Sequence, residues 1–135
     1  MRLVVPYRGS RTISELTKQY REYHEAVIDR NFPSRNEKDL EIDVDFLRLS
    51  SLPVLGKIDT DIVLAALAEK KWRGLNGAET LALGLKLPEH SHIGFGQVYR
   101  AQFMAHMLVV VRGSVRLIGH KALWCKDVVV PGTPV

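Results

Sequence analysis

Five histidines, one cysteine and two charged runs are the side chains here with chemistry beyond packing. His90-Ser91-His92 sets two imidazoles two residues apart, and on a β segment that spacing points both rings the same way, as a metal or ligand site on a sheet requires. Tyr99 and His106 follow on the next β-like stretch, so His90, His92, Tyr99 and His106 form a candidate ligand-binding set. Lys70-Lys71-Trp72-Arg73 is the second constellation: three cations around one indole is the composition that holds phosphates and stacks a base. Glu41, Asp43 and Asp45 would share one strand face, suiting a hard cation or, more simply, a solvated acidic face that protects an edge. Cys125 beside Trp124 is expected as a buried small hydrophobe, because nothing near it in sequence would activate the thiol.

Two local resemblances bear on these residues. Gly84, five residues and then His90-Ser91-His92 resembles the start of the first cupin motif, and Lys126-Asp127 running to Pro131-Gly132 resembles the start of the second. The resemblance implies a β-barrel with a divalent metal held by His90, His92 and further ligands. The chain departs from that pattern where Gln97 stands in place of the cupin glutamate, and where its first eighty or so residues read as largely helical. Two helices with a short connection, followed later by a hairpin, also resemble a winged helix-turn-helix, with Lys70, Lys71, Arg73 and Lys86 as phosphate contacts. Against it, the second helix, Ala-Leu-Ala-Leu-Gly-Leu-Lys-Leu, reads as core and offers few side chains that read base edges.

Composition narrows the classes. At 135 residues, 46% hydrophobic and 25% charged, the chain has the size and make-up of one globular domain, residues 1–135. Nineteen Lys and Arg against fifteen Asp and Glu give +4, which is compatible with an anionic partner. A lone cysteine and no charged-then-apolar leader lead us to expect an intracellular, cytoplasmic setting, and no apolar run is long enough to span a bilayer. No Gly-rich phosphate loop, serine elbow or paired-carboxylate motif occurs, so no cofactor is indicated.

The elements that must position these residues follow from periodicity. Thr12 with Glu15 fits a capping box, and Ile13, Leu16, Tyr20, Tyr23 and Val27 recur at spacings of three and four, which predicts one long N-terminal helix with Lys18–Glu22 and Arg21–Glu25 pairs on its wet side. Leu40 to Phe46 alternates as a half-buried strand. Asp59 or Thr60 caps a second helix through about Trp72, apolar nearly all round, with Gly74 as its C-cap. Asn76 with Glu79 caps a third helix to about Leu87. Ile93 to Phe103 is a strand with a bulge, or a helix over Gln97 to His106. Met107 to Gly119 is a hairpin turning at Gly113-Ser114, which pairs Val110 with Leu117 and Met107 with His120. It puts Met107, Val109, Val111, Ile118 and His120 on one face and His106, Leu108, Val110, Val115 and Leu117 on the other. Residues 122–125 and 128–130 make a last strand, and 131–135 a tail that cannot continue a sheet interior.

The expected fold is therefore α+β: a single domain with one long N-terminal helix and a helical pair packed on a mostly antiparallel sheet centred on the 107–119 hairpin. A ribbon apolar on both faces must be covered twice, by other elements or by a second subunit, so a homodimer or larger assembly is expected. For function, the reading is a non-catalytic intracellular binding or assembly protein whose basic surface meets nucleic acid or a nucleoprotein. The alternative is a small-ligand pocket protein or small enzyme, with or without a histidine metal site.

Overall fold

The protein is described by a computed structural model covering residues 1–135. In chain order its elements are β1 (Arg2–Val5), α1 (Thr12–Thr17), β2 (Glu22–Tyr23), β3 (Leu40–Asp43), β4 (Asp45–Arg48), β5 (Ile58–Asp59), α2 (Thr60–Glu69), β6 (Trp72–Gly74), α3 (Gly77–Lys86), β7 (Ser91–Ala101), β8 (Met104–Val111), β9 (Ser114–Gly119), β10 (Leu123–Trp124) and β11 (Val129–Pro134). The fold is α+β, with mostly antiparallel pairing.

The hairpin β8–β9 lies at the centre of the largest sheet, ordered β2-β9-β8-β7. Its turn is Arg112-Gly113, not Gly113-Ser114: both residues have positive φ, 43° and 85°, as a type I′ turn demands. The register is accordingly Val110↔Val115 and Met107↔Ile118. Because the shift is two residues, each side chain keeps the face expected of it. Leu108, Val110 and Val115 join Leu3, Val5, Ile13, Leu16 and Leu81 in one core, whereas Met107 joins Ile58, Val63, Leu67, Phe95 and Trp124 in the other. The chain itself thus packs a core against each face of the ribbon.

The long N-terminal helix does not form. The structure stops α1 at Thr17, with no side-chain cap; Thr12 Oγ1 instead serves the preceding turn, accepting from Arg8 N and donating to Gly9 O. Ile13, Leu16, Tyr20 and Val27 are buried as their spacing requires, but Tyr23, the fifth member of that stripe, is exposed. Beyond Tyr20, however, the backbone finds better partners: Glu22 and Tyr23 pair in parallel with Ser114 and Val115, and Ser114 Oγ donates to Glu22. Tertiary pairing with an open sheet edge outweighs a helical preference worth only tenths of a kcal/mol per residue. Lys18 pairs with Glu15 rather than Glu22.

Other expectations are corrected in the same way. The strand over Leu40–Phe46 is two strands in different sheets, β3 on β1 and β4 on β11, broken at buried Val44. Glu41 and Asp43 both face Arg2, at 3.3 and 3.6 Å, so a guanidinium rather than a metal ion partners two of the three carboxylates. Asp59 caps α2 by accepting from Ile62 N, but the helix ends at Glu69, and Lys71 takes the left-handed position (φ 58°) expected of Gly74. The C-terminal tail, expected outside any sheet interior, is the middle strand of β4-β11-β6. β11 changes partner at Gly132, so Pro131 sits beside β4 alone and Pro134 beside β6 alone, leaving each proline an unpaired side. Cys125 is exposed, not buried.

Ile93–His106 resolves into β7 with a bulge and the start of β8. Gly94 faces Leu108 and Val98 faces Met107, so Phe95, Gly96 and Gln97 are extra residues on β7. They arch onto the segment before α3: Gly96 N donates to Leu75 O, and Gly77 N donates to Gln97 Oε1. The approach is so close that a Cβ on Gly74 would lie 2.6 Å from Phe95 Cβ. Glycine at 74 is therefore dictated by packing, not by a helix end. The barrel implied by the cupin resemblance is absent, and so is the winged helix-turn-helix: β6 separates α2 from α3, and α3 is buried from Gly77 to Gly84, leaving no reading face.

Candidate functional site

The four residues expected to share a ligand site fall into two pairs, at opposite ends of the β7–β8 ladder. Tyr99 and His106 are cross-strand partners, their rings 6.3 Å apart, with Phe32 5.9 Å beyond Tyr99. His106 Nδ1 is buried there without a hydrogen-bond partner. His90 and His92 lie at the other end of β7, their rings 6.0 Å apart and nearly parallel, and His92 stands 5.8 Å from Phe46. His92 is only 3% exposed, and burial, reinforced by the neighbouring His90, lowers its pKa to about 4. No third His, Cys, Asp or Glu converges on the pair to complete a metal-ligand set.

The basic segment is divided by its own contacts. Lys70 Nζ lies 5.3 Å over the Trp72 ring, a cation–π contact, and Lys71 is exposed. Arg73 turns inward. Its Nη1 and Nη2 donate to the two carboxylate oxygens of Glu79 at 2.7 Å each, and Glu79 is wholly buried. Glu79 also closes the capping box with Asn76 at the start of α3. These bonds raise the Arg73 pKa above its usual value despite partial burial. The cation at position 73 is thus already neutralised inside the fold, a role that the Asn76–Glu79 spacing did not reveal.

A third place, not singled out by sequence patterning, carries unpaired cations. The tight β7–β8 turn, with Gln102 at φ 56°, pushes Phe103 fully into solvent and leaves Met104 exposed beside it. At the adjacent end of β9, His120 N donates to Ala105 O, which holds His120 and Lys121 next to the β7–β8 tip. Arg100, Phe103, Met104, His120 and Lys121 line a cleft of about 580 Å³ that no carboxylate enters. None of these three basic side chains takes part in an ion pair. The β7 bulge shifts the β7–β8 register so that Ala101 pairs with Met104 and the turn falls at Gln102-Phe103.

Compared with known protein families, characterised proteins and solved structures, the chain matches none of them.

Proposed function

We propose that the protein is a non-catalytic binding protein for single-stranded nucleic acid, and that the β7–β8 tip is its contact surface. The observation that carries this reading is the fully exposed Phe103 set among Arg100, His120 and Lys121 in a cleft without carboxylates. Sequence-tolerant single-strand binding uses this combination, an aromatic face for a base and cations for the flanking phosphates. A duplex offers no free base face to Phe103 and competes poorly. Lys70 and Lys71, with Trp72, form a secondary basic element that extends the hold on the phosphate backbone, whereas Arg73 serves the fold. An intracellular setting suits such a partner.

The test is binding of fluorescent mixed-sequence RNA and DNA single strands by the untagged protein over a salt series. Phe103→Ala is expected to weaken binding by about 1–3 kcal/mol, the worth of one stacked base. Arg100→Ala with Lys121→Ala should flatten the salt dependence by about 1.4 in the log–log slope, roughly 0.7 for each phosphate no longer neutralised. The Lys70→Ala, Lys71→Ala pair should have the smaller effect. No binding at low salt, or binding indifferent to Phe103, overturns the reading. Self-association abolished by Phe103→Ala, seen by sedimentation without nucleic acid, would reassign the same patch to a second copy of the chain.

A further inference from the structure

Another cavity, of about 490 Å³, lies where residues 31–35 meet β6, the start of α3 and the β7 bulge. Asn31, Arg35, Arg73, Asn76 and Gln97 line it together with Val98, and neither a carboxylate nor an aromatic ring does. Several polar groups on this wall are fixed in direction yet left open. Arg73 commits three of its five N–H groups to the fold, two on Glu79 and one on Gly74 O. The other two, on Nε and Nη2, lie along one edge of the planar guanidinium, and Nε, unbonded within the chain, reaches solvent on a side chain 41% exposed. Asn76 is held by its Oδ1, which accepts from Glu79 N, so its Nδ2 is free to donate. Asn31 is held the other way round, its Nδ2 donating to Ala26 O and its Oδ1 left as an acceptor. Arg35 is exposed and makes no ion pair. Glu79 balances the charge of Arg73 from beneath, so Arg35 sets the net positive charge of the space. The end of α3 is not itself the site, since Gly77 N and Glu79 N already donate to Gln97 and Asn76.

From this arrangement we infer that the cavity binds the phosphate group of a small hydroxylated molecule, a phosphate monoester of the sugar-phosphate kind. The free edge of Arg73 takes two phosphate oxygens, Asn76 Nδ2 takes the third, and Arg35 closes over the anion with the opposite charge. A planar carboxylate has only two oxygens and leaves Asn76 Nδ2 unanswered, so a tetrahedral oxyanion is the better match. Asn31 Oδ1 accepts from a hydroxyl on the body of the ligand. The volume falls within the roughly 300–1,000 Å³ of small-molecule sites. Without an aromatic face the cavity has nothing on which to stack a base, which separates it from the β7–β8 tip.

Inorganic phosphate, ribose 5-phosphate, ribose and acetate are the probes, titrated into the full chain near neutral pH. The Arg73 Nε–H and Asn76 side-chain amide signals in proton–nitrogen NMR spectra report the contact. The expected result is a saturable shift at millimolar phosphate or below, tighter with ribose 5-phosphate and absent with ribose or acetate at the same concentrations. Arg35→Gln, at an exposed position where the fold is not at risk, should weaken phosphate binding about tenfold or more, the equivalent of a charged hydrogen bond. Asn76→Asp keeps the oxygen that caps α3 but replaces the Nδ2 donor with a carboxylate oxygen, and should abolish the response. No saturable shift, a response unchanged in either variant, equal shifts with acetate, or ribose 5-phosphate no tighter than phosphate overturns the inference. Arg35→Gln should bind unphosphorylated single strands as the unmodified protein does; a loss there would make the cavity part of the strand's path and overturn the small-molecule assignment. The nucleic-acid reading stands or falls separately, on Phe103.

Discussion

Glu79 ought to be the most consequential single charge in the protein, and the size of its effect follows from its contacts. Its carboxylate is inaccessible to water and accepts three hydrogen bonds, two from Arg73 at 2.7 Å and one from Asn76 N at 2.9 Å. Replacing it by glutamine keeps the volume and one acceptor oxygen but turns an amide NH2 toward the guanidinium, so one charged bond disappears and a donor meets a donor. A hydrogen bond to a charged group contributes about 1.5–3 kcal/mol. Arg73 is 41% exposed and is rehydrated once released, which argues for the lower half of the combined loss. The expected cost of Glu79→Gln is therefore about 2–3 kcal/mol, a fall in Tm on the order of 7–11 °C for a domain of this length. Arg73→Met is expected to cost more, about 3–5 kcal/mol, because it leaves a buried carboxylate with no cation. The double variant should then be more stable than Arg73→Met alone. Urea unfolding followed through Trp72 and Trp124 fluorescence measures all three. If Arg73→Met costs under about 1 kcal/mol, or if the two changes simply add, the pair is a surface ion pair of the ordinary weak kind and the reasoning fails. The variants also separate fold from function: any that stay folded should bind single strands as the unmodified protein does.

Two further perturbations have signs set by the structure. His92, with a folded pKa of about 4 against 6.5 in the unfolded chain, is neutral in both states above pH 6.5; between pH 6.5 and 4 only the unfolded chain takes the proton. Stability should therefore fall as pH drops through that window, by up to about 3 kcal/mol, and level off below it. His92→Phe should remove this component of the pH dependence, and equal urea-midpoint differences between pH 7.5 and 4.5 in the two proteins would refute the burial argument. Arg112, held at φ 43° in the type I′ turn, pays for a conformation that asparagine tolerates better, so Arg112→Asn should raise stability by about 0.4–1 kcal/mol. A lowered urea midpoint would contradict the turn assignment.

What the amino-acid order determined unaided is local or periodic. The two faces of the β8–β9 ribbon follow from alternation, which a two-residue register error cannot scramble. Asp59 caps α2 and Asn76 boxes with Glu79 because those bonds close within three residues of the cap. Buried Ile13, Leu16, Tyr20 and Val27 were legible as apolar positions, yet not as a non-helical path. Spacing records which side chains leave water; the open edge of β9, ninety residues on, decides the backbone that carries them. The candidate sites were legible in smaller part. His90 and His92 share a face because i and i+2 always do on a strand, but Tyr99 lies seven residues further along β7 and His106 pairs with Tyr99, so the extended backbone itself carries the second pair away from the first. Arg73 reads as a surface cation until the fold places Glu79 beneath it. Phe103, Arg100 and Lys121 meet only because a bulge resets the phase of β7 and two chain turns end side by side, a coincidence of tertiary geometry that no local pattern encodes.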